Sequence, residues 1–221
     1  VIPSNPEWVW ARYSADLTAH TRTSFPAHLG GWNHCCVTQK VVDAYRMADG
    51  RNIDESTPQY PYSETGFTTA QKKFSGYRLN SGVYNMYNNR EMRFYASIGF
   101  SECFWPMTST STVGDYNQTI TYYYDSPDGK QSNLIDFPLT GYVIKKFINP
   151  TDAWTGTNAK RLTKAYPMIR YADILLMYAE ALNHLTTTHT VQLGGETFTL
   201  SRDVNEMRMA FNQVRHRAGL P

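Results

Sequence analysis

The chain has 221 residues, which is enough for one or two globular cores, and no apolar run in it is long enough to span a bilayer. Lys and Arg number 21 against 19 Asp and Glu, and the formal net charge of +2 excludes recognition of nucleic acid by a net positive field. Aromatic residues make up 14% of the chain against 18% charged residues, so the chain is polar and also rich in flat rings.

The amino-terminal part of the chain predicts little regular structure. Residues 1–36 lack a sustained period and are expected to be mostly loop, with a short helix over 7–12. Apolar residues then recur at helical spacing over 37–48, with Thr38 as the expected N-cap and Gly50 as the expected stop. This segment predicts the first clear helix.

The middle of the chain predicts loops with a few short strands. Residues 51–90 are dominated by Pro, Ser, Thr, Asn, Gly and Tyr, a composition that a helix interior does not accept. Segments rich in residues typical of β-strands follow, and turn residues and a Ser/Thr-rich loop, which we call the excursion, lie between them. Strands are expected over 93–100, 119–124 and 141–148, the turn over 126–129 and the excursion over 101–117.

The carboxyl-terminal part has the strongest periodicity. A helix opened by Pro167 is expected to carry one apolar stripe, and a second helix begins at a capping box of Asp203 and Glu206. A hairpin around Gly194-Gly195 is predicted between the helices. The stripes consist of Met168, Ala172, Leu175, Leu176, Ala179, Leu182 and Leu185, and of Val204, Met207, Phe211, Val214 and Ala218.

Such a helix pair cannot enclose a core of its own, because each apolar stripe needs a partner. The expected organisation is a loop-rich region over 1–166 with short strands and one or more helices, followed by a helix pair with an inserted hairpin over 167–221. The pair is interpreted as one unit of a helical repeat whose other units are missing from this chain. The predicted fold class is mostly α, with loop-rich regions and a few short β-strands and hairpins.

Four blocks of sequence carry a resemblance to a known family. The run from Pro167 reads P-x-x-R-x-A-D-x-L-L-x-Y-A-E-A-x-N, and the run from Asn212 reads N-x-V-R-x-R-A-G-L. Two earlier blocks, over 38–51 and 89–105, stand in the same order as in the family. On these residues the chain resembles the SusD/RagB family, and specifically its carboxyl-terminal portion.

The resemblance implies a lipid-anchored protein exposed on the bacterial outer membrane. Such proteins capture nutrients, mostly glycans, without catalysis and deliver them to a SusC-like, TonB-dependent transporter on which they sit as a hinged lid. Their fold is an α-superhelix of tetratricopeptide-like helix pairs with a loop-rich remainder. The lipidated cysteine and the earlier helix pairs are absent from this chain, which is therefore expected to attach to the membrane only through an anchor that it does not contain.

Capture of an uncharged sugar requires an aromatic platform for the C–H face of the ring and planar hydrogen-bonding groups for its hydroxyls. Three tryptophans with polar neighbours are expected in loops. The candidate ligand-binding residues are therefore Trp32, Asn33, Trp105, Trp154, Asp152 and Asn158. For each tryptophan the alternative is packing in the core, since tryptophan is highly buried on average.

The sequence gives little indication of a catalytic site or a metal site. Glu180 and His184 have the i, i+4 spacing of two metal ligands but lack a third, and His34-Cys35-Cys36 has no second Cys or His pair. No pair of carboxylates is selected by spacing among Asp115, Asp125, Asp128 and Asp152. We expect no catalytic residues, no metal and no cofactor, and no disulfide framework among Cys35, Cys36 and Cys103.

Charged side chains of the two C-terminal helices are interpreted as clamps. Arg170 and Asp173 lie one turn apart and are expected to pair, and Glu180 is expected to reach Arg215 or Arg217.

The sequence thus predicts non-enzymatic capture of an oligosaccharide or polysaccharide for import through a SusC-like transporter, with no nucleic-acid partner. Capture of a peptide or glycopeptide, or a structural role in the transporter complex, are the alternatives.

Overall fold

The computed structural model describes residues 5–15, 17–74, 77–110 and 118–221. Within these ranges the chain is mixed α/β, and most of its elements are short. The α-helices are α1 Thr18–Ser24, α2 Gln39–Asp43, α3 Met92–Ser97, α4 Tyr171–His184 and α5 Val204–Arg217. The strands are β1 Trp8–Ala15, β2 Lys72–Phe74, β3 Tyr77–Leu79, β4 Ile98–Gly99, β5 Cys103–Trp105, β6 Gln118–Ile120, β7 Val143–Ile144, β8 Lys164–Arg170, β9 His189–Leu193 and β10 Glu196–Leu200.

The strands form four small sheets among the described residues. One sheet is four-stranded in the antiparallel order β2-β3-β5-β6, and the others are pairs: β4 with β7, β9 with β10, and β1 with β8. The expectation of a mostly α protein is therefore corrected to a mixed α/β one. The superhelix of helix pairs that the resemblance implied is not evident in the part of the chain that the structure describes.

The described residues form two compact units. The helical unit combines Val1–Ala15 with Ala165–Pro221, and the core unit is Asp16–Lys164. The helical unit begins close to the boundary expected after residue 166, and it also includes the amino-terminal strand, which sequence analysis assigned to the loop-rich region.

Two local predictions in the first hundred residues are wrong. Residues 7–12 were expected to be helical, but Glu7 lies in a turn and residues 8–12 belong to strand β1, which pairs with β8. Residues 93–100 were expected to be a strand, but residues 92–97 form α3, and only Ile98–Gly99 form a strand, β4. Periodicity does not separate a helix from a strand in an apolar run as short as this one.

Other predictions hold in shortened form. Thr38 is the N-cap of α2, but the helix ends at Asp43, well before Gly50. The strands expected over 119–124 and 141–148 are present only as β6 and β7. Residues 111–117 of the Ser/Thr-rich excursion, which include Asp115, lie outside the described residues.

In the helical unit the second helix and the hairpin are confirmed. The carboxylate of Asp203 accepts from the backbone N–H groups of Asn205 and Glu206 and caps α5. Strands β9 and β10 pair around Gly194-Gly195, both of which have positive φ. Pro167 does not open a helix: it lies in β8, where an edge strand tolerates the missing N–H, and α4 begins at Tyr171.

The two apolar stripes of the helical unit are only partly covered. Ala172 and Leu182 on α4 and Ala210 on α5 are buried, whereas larger apolar side chains remain exposed. The two helices pack on each other and leave an apolar groove of about 580 Å³ whose lining includes Leu176, Met207 and Phe211. None of the described helices has the length and apolarity needed to cross a membrane.

The core unit is built around stacked aromatic rings. Phe94 stacks on Phe100 with ring centroids 5.2 Å apart, and Tyr87 lies against Phe100 at 4.4 Å. The buried hydroxyl of Tyr87 donates to the Tyr142 hydroxyl at 2.9 Å, which donates in turn to Gln39. Aromatic residues thus supply much of the core between elements that are individually too short to be stable.

A buried arginine fixes the end of α2 to this core. Arg90 is 2% exposed, and its guanidinium donates to the carbonyl oxygens of Val42, Tyr45 and Met86 at 2.6, 2.8 and 3.1 Å. These bonds carry a charged donor to buried carbonyl groups, of which that of Val42 also accepts from the N–H of Tyr45, and they tie the end of α2 to the segment that carries Arg90. The adjacent Glu91, also 2% exposed, accepts from the N–H of Arg46 at 2.8 Å.

Burial also changes the acidity of the core phenols and of one amine. Desolvation raises the pKa of Tyr95 to about 12, and it raises the pKa of Tyr87 further, with the bond to Tyr142 adding to the effect. Desolvation lowers the pKa of Lys145, whose ammonium donates to the carbonyl oxygens of Tyr95 and Phe104. The folded state therefore favours the neutral forms of these groups.

We predict that Arg90→Met lowers the free energy of unfolding by about 4 kcal/mol, because three buried carbonyl groups lose a charged donor. Urea denaturation of both proteins measures the difference. Arg51→Met, which alters an exposed arginine, is the matched control and should change stability by less than about 0.5 kcal/mol. A change below about 1 kcal/mol in Arg90→Met would show that the core does not need this contact.

We predict a loss of stability at alkaline pH that depends on Tyr95. Its folded pKa lies above the ordinary value of 10.0, so its contribution is complete below pH 10 and is lost as pH rises toward about 12. The loss amounts to about 3 kcal/mol. Urea unfolding measured between about pH 9 and about pH 12 should show a shallower decline in Tyr95→Phe. The exposed-site control Tyr124→Phe should follow the unsubstituted protein, and identical slopes in all three would contradict the prediction.

Candidate functional site

Two of the predicted tryptophans lie in one cluster with two arginines. The guanidinium carbon of Arg22 lies 4.6 Å from the ring centroid of Trp32 and 5.2 Å from that of Trp154. The guanidinium of Arg161 lies 4.6 Å from the same Trp154 ring. These four residues, which we call the tryptophan–arginine cluster, all belong to the core unit, and both indoles are half-buried.

The backbone after α1 brings Trp32 beside Arg22. The N–H of Trp32 donates to the carbonyl oxygen of Arg22 at 2.9 Å, and the Arg22 Nε donates to the carbonyl oxygen of Gly30 at 3.2 Å. The turn needs the Gly30-Gly31 pair: Gly30 has a φ of +88°, and a Cβ on Gly31 would lie 2.0 Å from the Phe25 carbonyl oxygen.

Asn33 holds the Trp32 loop from inside. It is fully buried, and its amide donates to the Asp128 carboxylate at 2.9 Å and to the Asp136 carbonyl oxygen at 3.3 Å. Asp128, also fully buried, accepts from the N–H of His28 at 3.1 Å and from its Nδ1. A segment about a hundred residues away thus fixes the loop that carries Trp32.

Asp152 does the same for the loop that carries Trp154. Its carboxylate is fully buried, accepts from the N–H groups of Asn149 and Leu162 at 2.8 and 2.9 Å, and pairs with Lys164 at 2.7 Å. The contacts close residues 149–164 into a compact loop. Its charge is committed to these partners within the core unit.

The predicted site residues therefore divide into three groups. Trp32 and Trp154 are brought together at a partly exposed surface. Asn158 lies in the Trp154 loop, where it is exposed and has a φ of +66°. Asn33 and Asp152 are buried and position the tryptophans next to them. Trp105 is not in a loop as expected: it lies in β5, is 0% exposed and packs edge-on against Phe25, with no surface to offer a ligand.

Sequence reasoning missed both arginines of the cluster. Arg161 follows Trp154 by seven residues in the Lys160-Arg161 pair, and a basic pair near a loop tryptophan is a signal that could have found it. Arg22 has no such signal, because its contact with Trp32 depends on the tight turn between them.

The other candidate groups behave as structural residues. The described residues contain no group of three or more His, Cys, Asp or Glu that could hold a metal ion, and His34 pairs with Asp136 at 2.9 Å. Cys35, Cys36 and Cys103 are free thiols. Of the expected clamps, Arg170 pairs with Asp173 at 2.9 Å, and its backbone N–H and side chain together lower the pKa of that carboxyl.

The second expected clamp does not form. Arg215 donates to the carbonyl oxygen of Pro221, and Arg217 pairs with Glu7 of the same unit. Glu180 lines the open groove between α4 and α5 instead. The two arginines therefore bind the chain end after α5 and the residue before β1, and neither pairs with α4.

By fold, the chain is similar to solved SusD-like proteins. It superposes on a SusD-like protein from Bacteroides fragilis NCTC 9343 with a TM-score of 0.59 and 24% identity, over 99% of this chain and 37% of that chain. It superposes on selenomethionine BT4246 with a TM-score of 0.62 and 18% identity, over 98% of this chain and 35% of that one. The chain thus spans a little over a third of the length of these relatives.

The chain belongs to the SusD family, whose model matches residues 6–221. SusD family proteins are non-catalytic binding proteins, in agreement with the expectation that the chain is not an enzyme. A search of curated proteins finds no match.

We predict that Asp128→Ala destabilises the core unit by about 3 kcal/mol, because the substitution removes a buried carboxylate that accepts from Asn33 and His28. Urea denaturation measures the effect. Asp125→Ala, three residues earlier and exposed, should stay within about 0.5 kcal/mol of the unsubstituted protein. Equal stability of the two variants would mean that the Asp128 contacts do not hold the loop.

Proposed function

We propose that the chain is part of a surface protein that captures glycans for import through a SusC-like, TonB-dependent transporter of the outer membrane. The glycan binds at the tryptophan–arginine cluster and is passed to the transporter. The protein is held at the outer membrane by a lipid anchor. Family membership supports the class of protein, and the cluster supports the location of the site.

The observation that carries the proposal is the convergence of Trp32 and Trp154 on Arg22. Indole rings offer flat apolar faces to the C–H side of a sugar, and guanidinium N–H groups offer donors to its hydroxyls. Both loops are fixed by buried carboxylates, so little ordering is needed when a ligand binds.

The geometry suits capture followed by release. The indoles are half-buried at the surface of the core unit, and the contacts that they offer are few. A small contact area and a low cost of ordering give modest affinity and fast dissociation, which transfer to a transporter requires.

We predict that Trp32→Ala and Trp154→Ala each lower glycan affinity about tenfold or more, since one lost stacking contact is worth about 1.4 kcal/mol or more. Affinity electrophoresis against a panel of neutral and acidic polysaccharides, followed by calorimetry on the best ligand, measures the loss. Trp10→Ala is the matched control, because Trp10 is an exposed tryptophan of the helical unit.

Retention of full binding in both cluster variants would remove the site from the proposal. Binding of peptides or glycopeptides in preference to every glycan would replace the proposed ligand with the peptide alternative. Binding of neither class would favour the structural role in the transporter complex.

A further inference from the structure

The cluster contains two positive charges that no carboxylate of the described residues balances. Neither Arg22 nor Arg161 makes an ion pair with a carboxylate in the part of the chain that the structure describes, although other arginines do, such as Arg93 with Glu91 and Arg170 with Asp173. The carboxylate nearest in sequence to Trp154, that of Asp152, is buried and paired with Lys164. The exposed surface between the two tryptophan loops therefore carries a local positive charge in a nearly neutral chain.

The two guanidiniums are held in place rather than left to move freely in solvent. Arg22 is fixed by its Nε bond to Gly30 and by contact with two indole rings, and no described residue accepts a hydrogen bond from its two Nη groups. Arg161 is exposed and rests on the Trp154 ring. Stacking orients the plane of a guanidinium and reduces the entropy lost when it binds a ligand.

A fixed guanidinium fork matches a planar or tetrahedral oxyanion better than it matches a hydroxyl. Arg binds carboxylates and sulfate-like groups through two parallel N–H bonds, and such charge-assisted bonds are roughly twice as strong as neutral ones. A neutral sugar would leave two positive charges without compensation at the binding surface. An acidic sugar would compensate one or both.

We propose that the tryptophan–arginine cluster selects acidic glycans, whose carboxylate or sulfate groups bind Arg22 and Arg161 while the sugar rings lie against Trp32 and Trp154. The inference rests on the proposed function and adds the class of ligand. Carboxylated and sulfated glycans share this chemistry, and both are compared in the test.

The test uses two pairs of polysaccharides with a shared backbone, and the members of each pair differ in the number of their acidic groups. Polygalacturonate is compared with its methyl ester, and chondroitin sulfate with desulfated chondroitin, by calorimetry on the 221-residue chain. We expect at least one acidic member to bind about tenfold more tightly than its less charged partner, and its affinity to fall as salt rises from about 0.05 to about 0.5 M. A preference in the first pair identifies a carboxylate, and a preference in the second pair identifies a sulfate.

Arg22→Gln and Arg161→Gln should each reduce affinity for the more acidic member of a pair about tenfold, and should reduce affinity for its less charged partner by a smaller factor. Arg51→Gln, at an exposed arginine that faces Asp49, is the matched control and should bind as the unsubstituted chain does. Circular dichroism checks folding, and Arg161→Gln keeps the test valid if Arg22→Gln unfolds, since Arg161 has an exposed side chain without a structural bond among the described contacts.

Equal binding of the two members in both pairs, or acidic binding that both arginine variants retain, would overturn the inference. If the chain binds neutral glycans and loses them in Trp32→Ala, the proposed function stands and only the acidic class is wrong. If no glycan of the panel binds, the proposed function fails, and the inference fails with it.

Discussion

The core unit depends on the buried guanidinium of Arg90, which donates hydrogen bonds to three carbonyl oxygens. Its elements are too short to be stable alone: α2 has five residues and several strands have two or three. In such a fold the backbone groups at element ends outnumber those inside, so the main constraint is to satisfy buried polar groups rather than to bury apolar area. Arg90, Glu91 and Asp128 meet that constraint by bonding to backbone N–H or carbonyl groups from segments distant in sequence, and Asp152 meets it within its own loop.

The same solution creates the binding surface that we propose. Asn33 and Asp152 were attractive as ligand contacts because each lies next to, or two residues from, a tryptophan. The structure turns each of them inward, where it anchors the loop and leaves the indole at the surface. Rigid loops that carry aromatic rings and a few fixed charges are preorganised to bind a polar ligand, because they lose little conformational entropy on binding.

The parts of the fold that could be predicted are those set by local sequence. The cap at Asp203, the Gly194-Gly195 turn and α5 follow from residues within a few positions of one another. The amino-terminal segment could not be predicted as a strand, because its conformation is set by pairing with β8, more than 150 residues away. For the site that we propose, the loop setting of Trp32 and Trp154 indicated both residues, but nothing in the sequence indicated Arg22. The polar neighbours of Trp105 gave no sign that it lies in the core.

The placement of the tryptophans also gives the protein an optical property. Trp105 is enclosed in the core beside Lys145, whereas Trp32 and Trp154 meet solvent and are touched by guanidiniums. Indole emission responds to nearby charge and to water, so these two rings differ from Trp105 in the environment that they report. A ligand that moves the guanidiniums away from the rings would change the intrinsic tryptophan fluorescence. Binding at the cluster could therefore be followed by this emission without an added label.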